Sequence, residues 1–226
     1  MGKVTKLEKT GNRFVAATKD ETFKAKTVII ATGVMPKRLD VPDEEKFLGR
    51  GVSYSTVSHA PLFIDMDIAV VGDGRPALLA AAELAQIARR VHVVGVPSKH
   101  LDSPLGKKVK DSGKAEFYSD YTVKEIIGES SPEKIVIKSK KIEKEIPVRG
   151  VFVELGYVAN TRAFSHLVKT TAEGRIIISE NNQTSMPGLF AAGDVTDVNA
   201  NQVVIAIGEG ANVALSAYSY LLAQKS

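Results

Sequence analysis

Residues 68–84 read IAVVGDGRPALLAAAEL, and this stretch decides the fold class of the chain. An apolar strand is followed by an alanine- and leucine-rich helix, with the pattern G-x-G-x-x-A at Gly72, Gly74 and Ala77. Gly72 permits a tight turn, Gly74 lets a pyrophosphate approach the backbone, and the small Ala77 lets the helix pack closely on the strand. The free N–H groups at the start of such a helix attract phosphate. The stretch predicts a strand–turn–helix of the kind that binds a dinucleotide.

Two features of this region leave the choice of nucleotide open. Pro76 has no N–H, so the turn has one possible donor fewer. The next strand, VHVV, ends in GVPS at residues 95–98, followed by Lys99 and His100. A ribose 2′-hydroxyl prefers a carboxylate at this point and a 2′-phosphate prefers arginine, and the sequence offers neither. It does not distinguish NADH from NADPH, and a plain crossover whose glycines serve only packing is an alternative.

The composition restricts the classes of function. The chain has 226 residues, of which 44% are hydrophobic and 25% charged, as in an ordinary globular protein. Its net charge is only +4 and its lysines are scattered, so nucleic-acid binding is not expected. It contains no cysteine, which excludes disulfides and thiolate chemistry and favours a cytoplasmic protein. Glu209 and Asn212 interrupt the longest apolar run, so we expect a buried helix there and no membrane span.

The order of the predicted elements indicates one domain inserted into another. Residues 3–30 read as a β-meander leading into TVIIATG, which has the apolar character of a covered parallel strand. A β–α–β unit and several alternating strands follow. We assign residues 1–46 to the first part of the outer domain, 47–156 to the inserted domain and 157–226 to the second part of the outer domain.

The last part of the chain has its own pattern. GRIIIS at residues 174–179 predicts a strand, and MPGLFAAGD at 186–194 predicts another that ends in a glycine–aspartate turn. Asn199 and Asn201 are suitable N-caps for a final helix starting at Gln202. Residues 101–114, between the second strand of the inserted domain and AEFYSD, are polar, show no clear pattern and are left unassigned.

Several stretches occur in an order that resembles the thioredoxin reductase family, FAD-dependent pyridine nucleotide-disulfide oxidoreductases. They are KTVIIATG, FLGRGVSY, GDGRPA, GVFVELGYVANTRAF, TSMPGLFAAGDV and QVVIAIGEGANVALSAYSYL. The resemblance covers most of the chain. It implies an α/β protein with a discontinuous, Rossmann-like FAD domain and an inserted, Rossmann-like NAD(P) domain, the organisation that the element order also predicts.

The resemblance also implies how the two nucleotides would be held. The carboxylate of Asp194 would accept a hydrogen bond from the ribitol of FAD, and N–H groups around Val195 would meet a phosphate. N–H groups at Gln202 and Val203 would face the pyrimidine edge of the flavin, where a helix N-terminus stabilises negative charge. The implied cofactor-binding residues are Thr32, Gly33, Gly72, Gly74, Arg75, Ala77, Gly193, Asp194, Val195, Gln202 and Val203.

The stretch that corresponds to the family's redox dithiol departs from the C-x-x-C pattern. The chain has Ser55 and Ser58 in its place, followed by His59 and Ala60 where the family has aspartate and glycine. Serine forms neither a disulfide nor a thiolate, so the dithiol site is vacated. The change of the flanking residues favours natural divergence over a deliberate Cys→Ser substitution. A serine hydrolase would need an orienting acid and a metal site would need further ligands. We therefore assign no catalytic residue, with His59 as a candidate proton donor.

A second departure concerns the FAD site itself. Family members begin with a strand, a G-x-G-x-x-G turn and a helix that hold the FAD pyrophosphate, and no such motif precedes Lys3. The chain is a fragment, or a second polypeptide supplies the missing segment, or a short protein has rebuilt this region and lost FAD. We expect an incomplete FAD site and a homodimer.

Three functions are compatible with these observations. The first is a flavoprotein oxidoreductase that moves hydride from NAD(P)H to FAD and on to an acceptor other than a dithiol of its own. The second is a catalytically inactive nucleotide-binding or regulatory module. The third, an NAD(P)-only dehydrogenase, would need an acid–base residue in the segment 115–150, where lysine–glutamate alternation indicates a solvated face.

Overall fold

The structure is a computed structural model that describes residues 2–140, 142–198 and 200–224. The chain forms two compact units. The first unit consists of the residues up to Met35 and those from Tyr157 onward, and the second, inserted unit consists of Pro36–Gly156. Residues 36–46, which the sequence analysis assigned to the outer domain, group with the inserted unit.

The described residues form fifteen strands and four α-helices. The strands are β1 (Lys6–Thr10), β2 (Arg13–Ala17), β3 (Thr22–Ala25), β4 (Val28–Ile30), β5 (Val34–Pro36), β6 (Val52–Ser53), β7 (Asp67–Val71), β8 (Arg90–Val94), β9 (Ala115–Tyr118), β10 (Thr122–Ile127), β11 (Lys134–Ser139), β12 (Ile142–Pro147), β13 (Gly150–Val153), β14 (Tyr157–Ala159) and β15 (Leu189–Ala191). The helices are α1 (Thr56–His59), α2 (Arg75–Leu84), α3 (Pro104–Asp111) and α4 (Val203–Ala223).

A five-stranded parallel sheet forms the centre of the inserted unit. Its order is β6-β13-β7-β8-β9, with all four neighbouring pairs parallel. Alternate residues of β7 point to opposite faces, as the period of a strand requires. Ile68 and Val70 join the core beneath α2, whereas Ala69 and Val71 join the core shared with β10, β11 and β12. Both faces are covered, which explains the continuous apolar character of IAVV.

Helix α2 packs closely on this sheet because its inner face is lined by alanine. Ala77 and Ala81 are fully buried, and Leu78 and Leu84 are buried beside them. Full burial of a leucine side chain stabilises a fold by about 1.5–3 kcal/mol. The small alanines let the helix approach the strands, and the leucines fill the remaining space. This packing places the start of α2 directly after the carboxyl end of β7.

The unassigned polar segment contains a helix that the sequence analysis missed. Helix α3 begins at Pro104, and the hydroxyl of its N-cap residue Ser103 accepts a hydrogen bond from the Gly106 N–H at 3.1 Å. Serine before proline is a strong start signal for a helix. The helix was not predicted because only Gly106 and Val109 are buried, which gives the segment little apolar periodicity.

The described residues of the first unit form three small sheets and two hydrophobic clusters. Strands β1, β2 and β3 form an antiparallel sheet, β4 pairs in parallel with β15, and β5 pairs with β14. Phe14, Ile30 and Leu189 are among the buried core residues. The prediction of a covered strand at TVIIATG is wrong in part, because the Ile29 side chain is 42% exposed. Among the described strands β4 has one neighbour, so its other edge is open.

The predicted strand GRIIIS is not a strand. Ile176 alone forms isolated bridges, one with Thr170 and one with Thr196, and it is fully buried. The Ile178 N–H donates to the carboxylate of Asp197 at 3.2 Å instead of joining a ladder. Three consecutive isoleucines predict a strand by composition, but only one of them finds a backbone partner of the strand type.

Helix α4 starts one residue later than predicted and has a different cap. Its N-cap is Gln202, whose side chain makes no capping bond. The Asn201 side chain instead accepts a hydrogen bond from Arg175 Nη1 at 2.9 Å, so its predicted cap role is wrong. The other predicted cap, Asn199, lies outside the described residues.

Much of the apolar surface of α4 is exposed. Val213 and Ala217 are the buried residues of this helix. The exposed large apolar side chains on it are Val203, Val204, Ile207, Leu215, Tyr218, Leu221 and Leu222. Even so, no helix in the described part of the chain is long and apolar enough to cross a bilayer.

Candidate functional site

The turn after β7 in the inserted unit is built by two glycines with different tasks. A Cβ on Gly72 would lie 2.5 Å from the carbonyl oxygen of Glu154 and 2.8 Å from the Cβ of Ala77. The Gly72 N–H donates to the Val94 carbonyl at 3.1 Å. Gly72 is therefore required for the close approach of neighbouring strand ends, and its N–H is not available to a ligand.

Gly74 has open space around it. A Cβ at this position would find no atom closer than Pro76 Cδ at 3.8 Å, and its backbone is extended, a conformation open to any residue. Gly74 is the N-cap of α2 and has no side-chain cap. Within the described part of the chain, the N–H groups of Gly74, Arg75 and Ala77 have no hydrogen-bond acceptor. These donors and the open space fit a phosphate group, although the exposed carboxylate of Asp73 adds a negative charge to the same turn.

Residues 95–100, after β8, include neither a carboxylate for a ribose 2′-hydroxyl nor an arginine for a 2′-phosphate. Gly95 adopts a positive φ of +91° and a Cβ there would lie 3.0 Å from the Gly72 carbonyl oxygen. A short 3-10 turn over Ser98–His100 follows. The structure therefore places Lys99 and His100 beyond the strand end, with no carboxylate among residues 95–100.

The two serines of the vacated dithiol lie together at the start of α1. Ser55 is the N-cap of this helix, and its hydroxyl donates to the Ser58 hydroxyl at 3.0 Å. Their spacing is that of two side chains in contact, as a disulfide pair would require, with oxygen in place of sulfur. A hydroxyl pair stores no electrons, so this position provides no redox group.

His59 pairs with a serine that the sequence analysis did not consider. Its Nδ1 lies 2.7 Å from the hydroxyl of Ser53, which is 5% exposed and lies in β6. The same hydroxyl also accepts the Ser55 N–H at 3.0 Å and donates to the Ser55 carbonyl at 3.1 Å. These bonds show that Ser53, the serine in contact with His59, stabilises the loop between β6 and α1. Among the described residues no carboxylate orients His59 by a hydrogen bond.

A half-buried carboxyl group lies between this segment and the glycine turn. Glu154 directly follows β13, and its Oε1 accepts a hydrogen bond from the hydroxyl of Thr56 at 2.7 Å. Burial raises the pKa of the Glu154 carboxyl group, while the bond from Thr56 opposes that shift. Glu154 was not predicted as a site residue, although an acidic residue directly after the buried strand GVFV was a usable signal.

The first unit has a second candidate site, an open cavity of about 400 Å³. Its lining includes Ala31, Gly33, Gly193, Asp194, Ala206 and Gly210. Three predicted FAD contacts, Gly33, Gly193 and Asp194, are therefore brought to one cavity from distant parts of the chain. Gly33 has a φ of +62° and nothing within 4 Å of a Cβ, so the space beside its Cα is open, although its carbonyl accepts the Asn160 N–H at 3.0 Å.

Thr32 is placed differently from Gly33. Its hydroxyl donates to the Asn160 carbonyl at 2.8 Å, and the Asn160 side chain donates to the Thr32 carbonyl at 2.9 Å. This exchange fixes the loop after β4 against the segment after β14. Thr32 therefore holds the shape of the cavity edge, and its hydroxyl and carbonyl groups are already hydrogen-bonded to Asn160.

The turn after β15 is partly occupied by protein contacts. Gly193 has a φ of +75°, and its N–H donates to the carboxylate of Glu209 in α4 at 2.6 Å. The N–H groups of Asp194 and Val195 have no acceptor among the described residues, and neither has the Asp194 carboxylate a donor. A ribitol hydroxyl or a phosphate thus finds one acceptor and two donors here, whereas the Gly193 N–H is taken.

The start of α4 is electropositive because of its free N–H groups and because the Arg175 side chain lies beside it. The first turn has no acidic residue, and the Val203 N–H has no acceptor among the described residues. Arg175 donates to the Asn201 side chain at 2.9 Å and to the Thr196 carbonyl at 3.4 Å, which links the turn to the helix start. The Gln202 carbonyl accepts from the Ile205 and Ala206 N–H groups, both at 3.0 Å. The arrangement suits an electron-rich ring edge or another anionic group.

Comparison with known proteins agrees with this architecture. Residues 1–210 match the family model described as pyridine nucleotide-disulphide oxidoreductase. The chain is 37% identical to an NADH dehydrogenase of Bacillus subtilis over 203 residues, 88% of this chain and 40% of that protein. It is 33% identical to the F component of alkyl hydroperoxide reductase from Staphylococcus aureus over 224 residues, 97% of this chain and 44% of that protein. It spans less than half the length of these curated relatives.

Solved structures show the same fold. Thioredoxin reductase from Streptococcus pyogenes MGAS5005 superposes with a TM-score of 0.85 at 36% identity, over 99% of this chain and 74% of that one. Thioredoxin reductase from Giardia duodenalis gives 0.86 at 27% identity, over 98% of this chain and 74% of that one. The expected α/β class of Rossmann-like units is confirmed. The chain therefore belongs to the pyridine nucleotide-disulphide oxidoreductase family and is similar to thioredoxin reductase within it.

Proposed function

We propose that this chain is part of a flavoprotein oxidoreductase in which the first unit holds FAD and the inserted unit holds NADH or NADPH. When bound, FAD would accept hydride from the nicotinamide nucleotide and pass electrons to an acceptor, because the cofactor carries the redox chemistry. The protein's part is to bind the two nucleotides and to exclude water. Dioxygen, a quinone, a ferredoxin-like protein or a disulfide on another protein are candidate acceptors.

The cavity of the first unit is the observation that supports FAD binding most directly. It brings Gly33, Gly193 and Asp194 together beside the early part of α4. The Asp194 carboxylate can accept a hydroxyl hydrogen bond, and the unpaired N–H groups of Asp194 and Val195 can donate to a phosphate. The start of α4 would stabilise negative charge on a flavin ring.

The Ser55–Ser58 pair separates this proposal from classical disulfide reduction. The two hydroxyls occupy the place of a dithiol, and the chain has no cysteine elsewhere. A hydroxyl is a poor nucleophile and a poor leaving group compared with a thiol. Electrons would therefore leave the flavin without passing through a side chain of this protein.

We further propose that additional polypeptide completes the FAD site, supplied by this protein or by a second chain. The open edge of β4 leaves strand N–H and C=O groups without a ladder partner, and the exposed Ile29 lies on that strand. Exposed apolar side chains also cover much of α4. A parallel strand and a helix added at this edge would cover both features, because parallel strands are normally buried on both faces.

Flavin binding tests the cavity assignment. Titration of the purified chain with FAD, followed by flavin fluorescence, should show saturable but weak binding. Asp194→Asn should weaken it several-fold because the amide is a weaker acceptor than a carboxylate. Asp197→Asn is the matched control, since Asp197 is exposed and is not part of the cavity lining. Equal affinities of the two variants would contradict the cavity assignment, and tight stoichiometric FAD in the monomer would contradict the need for a further segment.

The second candidate function is a catalytically inactive binding or regulatory module. The vacated dithiol, the end of β8 without a ribose partner and the occupied Gly193 N–H favour it. Anaerobic addition of NADH or NADPH to the FAD-loaded protein separates the two functions. Bleaching of the flavin absorbance supports the oxidoreductase, and stable colour with either nucleotide supports the module.

A further inference from the structure

The parallel sheet of the inserted unit has a single topological switch point, between β7 and β13. From β7 the chain continues to β8 and β9 on one side, whereas β13 and β6 lie on the other side. In such a sheet a dinucleotide lies across the carboxyl ends of the strands at the point where the strand order reverses. Gly72 directly follows β7 and Glu154 directly follows β13, so these residues face each other across this point.

Glu154 lies directly against the glycine turn. Its carbonyl oxygen is 2.5 Å from the position that a Gly72 Cβ would take, so the two strand ends are in contact. The pyrophosphate site predicted at Gly74 starts two residues further along the chain. The Glu154 side chain therefore begins at the rim of the predicted phosphate turn, on the side away from β8.

The position of Glu154 relative to β8 indicates which half of a bound dinucleotide it would contact. In this fold the adenosine ribose is recognised at the end of the second strand, here β8. The other half of the molecule, with the nicotinamide, must then extend toward β13. A carboxyl group is unsuited to the pyrophosphate because like charges repel, but it can bind the carboxamide group of nicotinamide or the hydroxyls of its ribose.

Thr56 holds the Glu154 carboxyl group in a defined orientation. The Thr56 side chain is 5% exposed and donates to Oε1 at 2.7 Å. A half-buried carboxyl group with one fixed oxygen is pre-organised, which reduces the entropy lost on binding. A nearby glutamate, Glu83 in α2, adds negative charge that disfavours ionisation of Glu154. The Thr56 bond also connects the end of β13 to the start of α1. A purely structural role for Glu154 would require only this bond.

On this basis we propose that the Glu154 carboxyl group, oriented by Thr56, contacts the nicotinamide half of a dinucleotide bound at residues 72–77. The inference rests on the proposed function, because it requires the inserted unit to bind a dinucleotide. It makes Glu154 a binding residue specific to one half of the ligand and predicts no role in holding the adenosine half.

The test compares a whole dinucleotide with its adenosine half. Calorimetric titrations of the full chain use NADH, NADPH and ADP, which keeps the adenosine and the pyrophosphate but lacks nicotinamide and its ribose. Glu154→Gln should raise the Kd of the preferred dinucleotide about tenfold, equivalent to about 1.4 kcal/mol, and change the Kd of ADP less than about twofold. Glu154→Gln keeps an oxygen acceptor for Thr56, so the fold should be preserved. Glu129→Gln, an exposed glutamate in the turn between β10 and β11, is the control.

Each alternative result has a distinct meaning. An unchanged dinucleotide Kd, or an equal loss for the dinucleotide and ADP, would overturn the Glu154 assignment and leave dinucleotide binding intact. Failure of the unsubstituted chain to bind any of the three probes would overturn both this inference and the nucleotide role of the inserted unit. Thr56→Val provides a second test. It removes the hydroxyl that orients the Glu154 carboxyl group, so it should weaken binding of the whole dinucleotide more than binding of the adenosine half.

Discussion

The carboxylate of Glu209, in α4, accepts the N–H of Gly193, at the end of β15, across 2.6 Å. Gly193 is buried and has a φ of +75°, so its N–H points where no neighbouring strand can accept it. The bond joins the glycine–aspartate turn to the helix and shapes one side of the cavity. Because the Gly193 N–H is taken, a ligand in the cavity must bind the N–H groups of Asp194 and Val195 instead.

Removal of this acceptor should destabilise the first unit. Glu209→Ala leaves the Gly193 N–H buried and unpaired, and we expect a loss of about 1–3 kcal/mol in the free energy of unfolding. Urea unfolding followed by far-UV circular dichroism measures it. Glu180→Ala is a suitable control because Glu180 is exposed and its carboxylate makes no hydrogen bond among the described residues. Similar midpoints for the two variants would show that water replaces the carboxylate.

The two glycines of the turn after β7 should respond differently to alanine. Gly72→Ala forces a Cβ to 2.5 Å from the Glu154 carbonyl oxygen and should cost about 1–3 kcal/mol of stability, as overpacking does. Gly74→Ala meets open space and an extended backbone, so the fold should keep its stability. Gly74→Ala should instead weaken NADH or NADPH binding, because its methyl group occupies the approach of the phosphates. Thermal unfolding and calorimetric titration of both variants would separate these effects, and a destabilised Gly74→Ala variant would contradict the open geometry.

His92 should make stability depend on pH. It is 6% exposed in β8, and burial lowers its pKa from the ordinary value, although Glu116 and Asp67 oppose the shift. The unfolded chain then binds more protons, so stability is complete above about pH 6.5 and falls as the pH drops toward the lower folded-state pKa. The slope in that window cannot exceed about 1.4 kcal/mol per pH unit. Urea midpoints across this window should fall less in His92→Asn than in the unsubstituted chain, and equal slopes would count against the buried neutral histidine.

The Ser55–Ser58 contact should accept a disulfide. Because the chain has no cysteine, the double variant Ser55→Cys with Ser58→Cys introduces its only thiols. The hydroxyls are 3.0 Å apart at the start of α1, which places the two Cβ atoms close enough for a disulfide with a small adjustment. Thiol titration of the oxidised monomer should find no free thiol, whereas each single variant should show one. Two free thiols after oxidation would mean that the pair is held too rigidly in its hydroxyl geometry.

Local sequence signals predicted the inserted unit better than the first unit. The strand, turn and helix from Ile68 to Leu84 were recognised because glycine spacing and apolar periodicity are local properties. GRIIIS was misread because strand formation depends on partners elsewhere, and only Ile176 found them. The cap of α4 was misread because Arg175, distant in sequence, engages Asn201. Segment 101–114 was missed because a helix with few buried residues has almost no apolar pattern.

The sequence by itself determined that this chain has Rossmann-like units, a glycine turn before α2, and two serines in place of a dithiol, since each depends on residues within a few positions. Only the tertiary structure decided that Glu154 meets Thr56, that Glu209 takes the Gly193 N–H, and that Gly33 and Asp194 line one cavity. Glu154 and Thr56 are 98 residues apart in sequence. Such contacts are set by how strands align in a sheet, and no local propensity specifies which distant side chain will stand beside another.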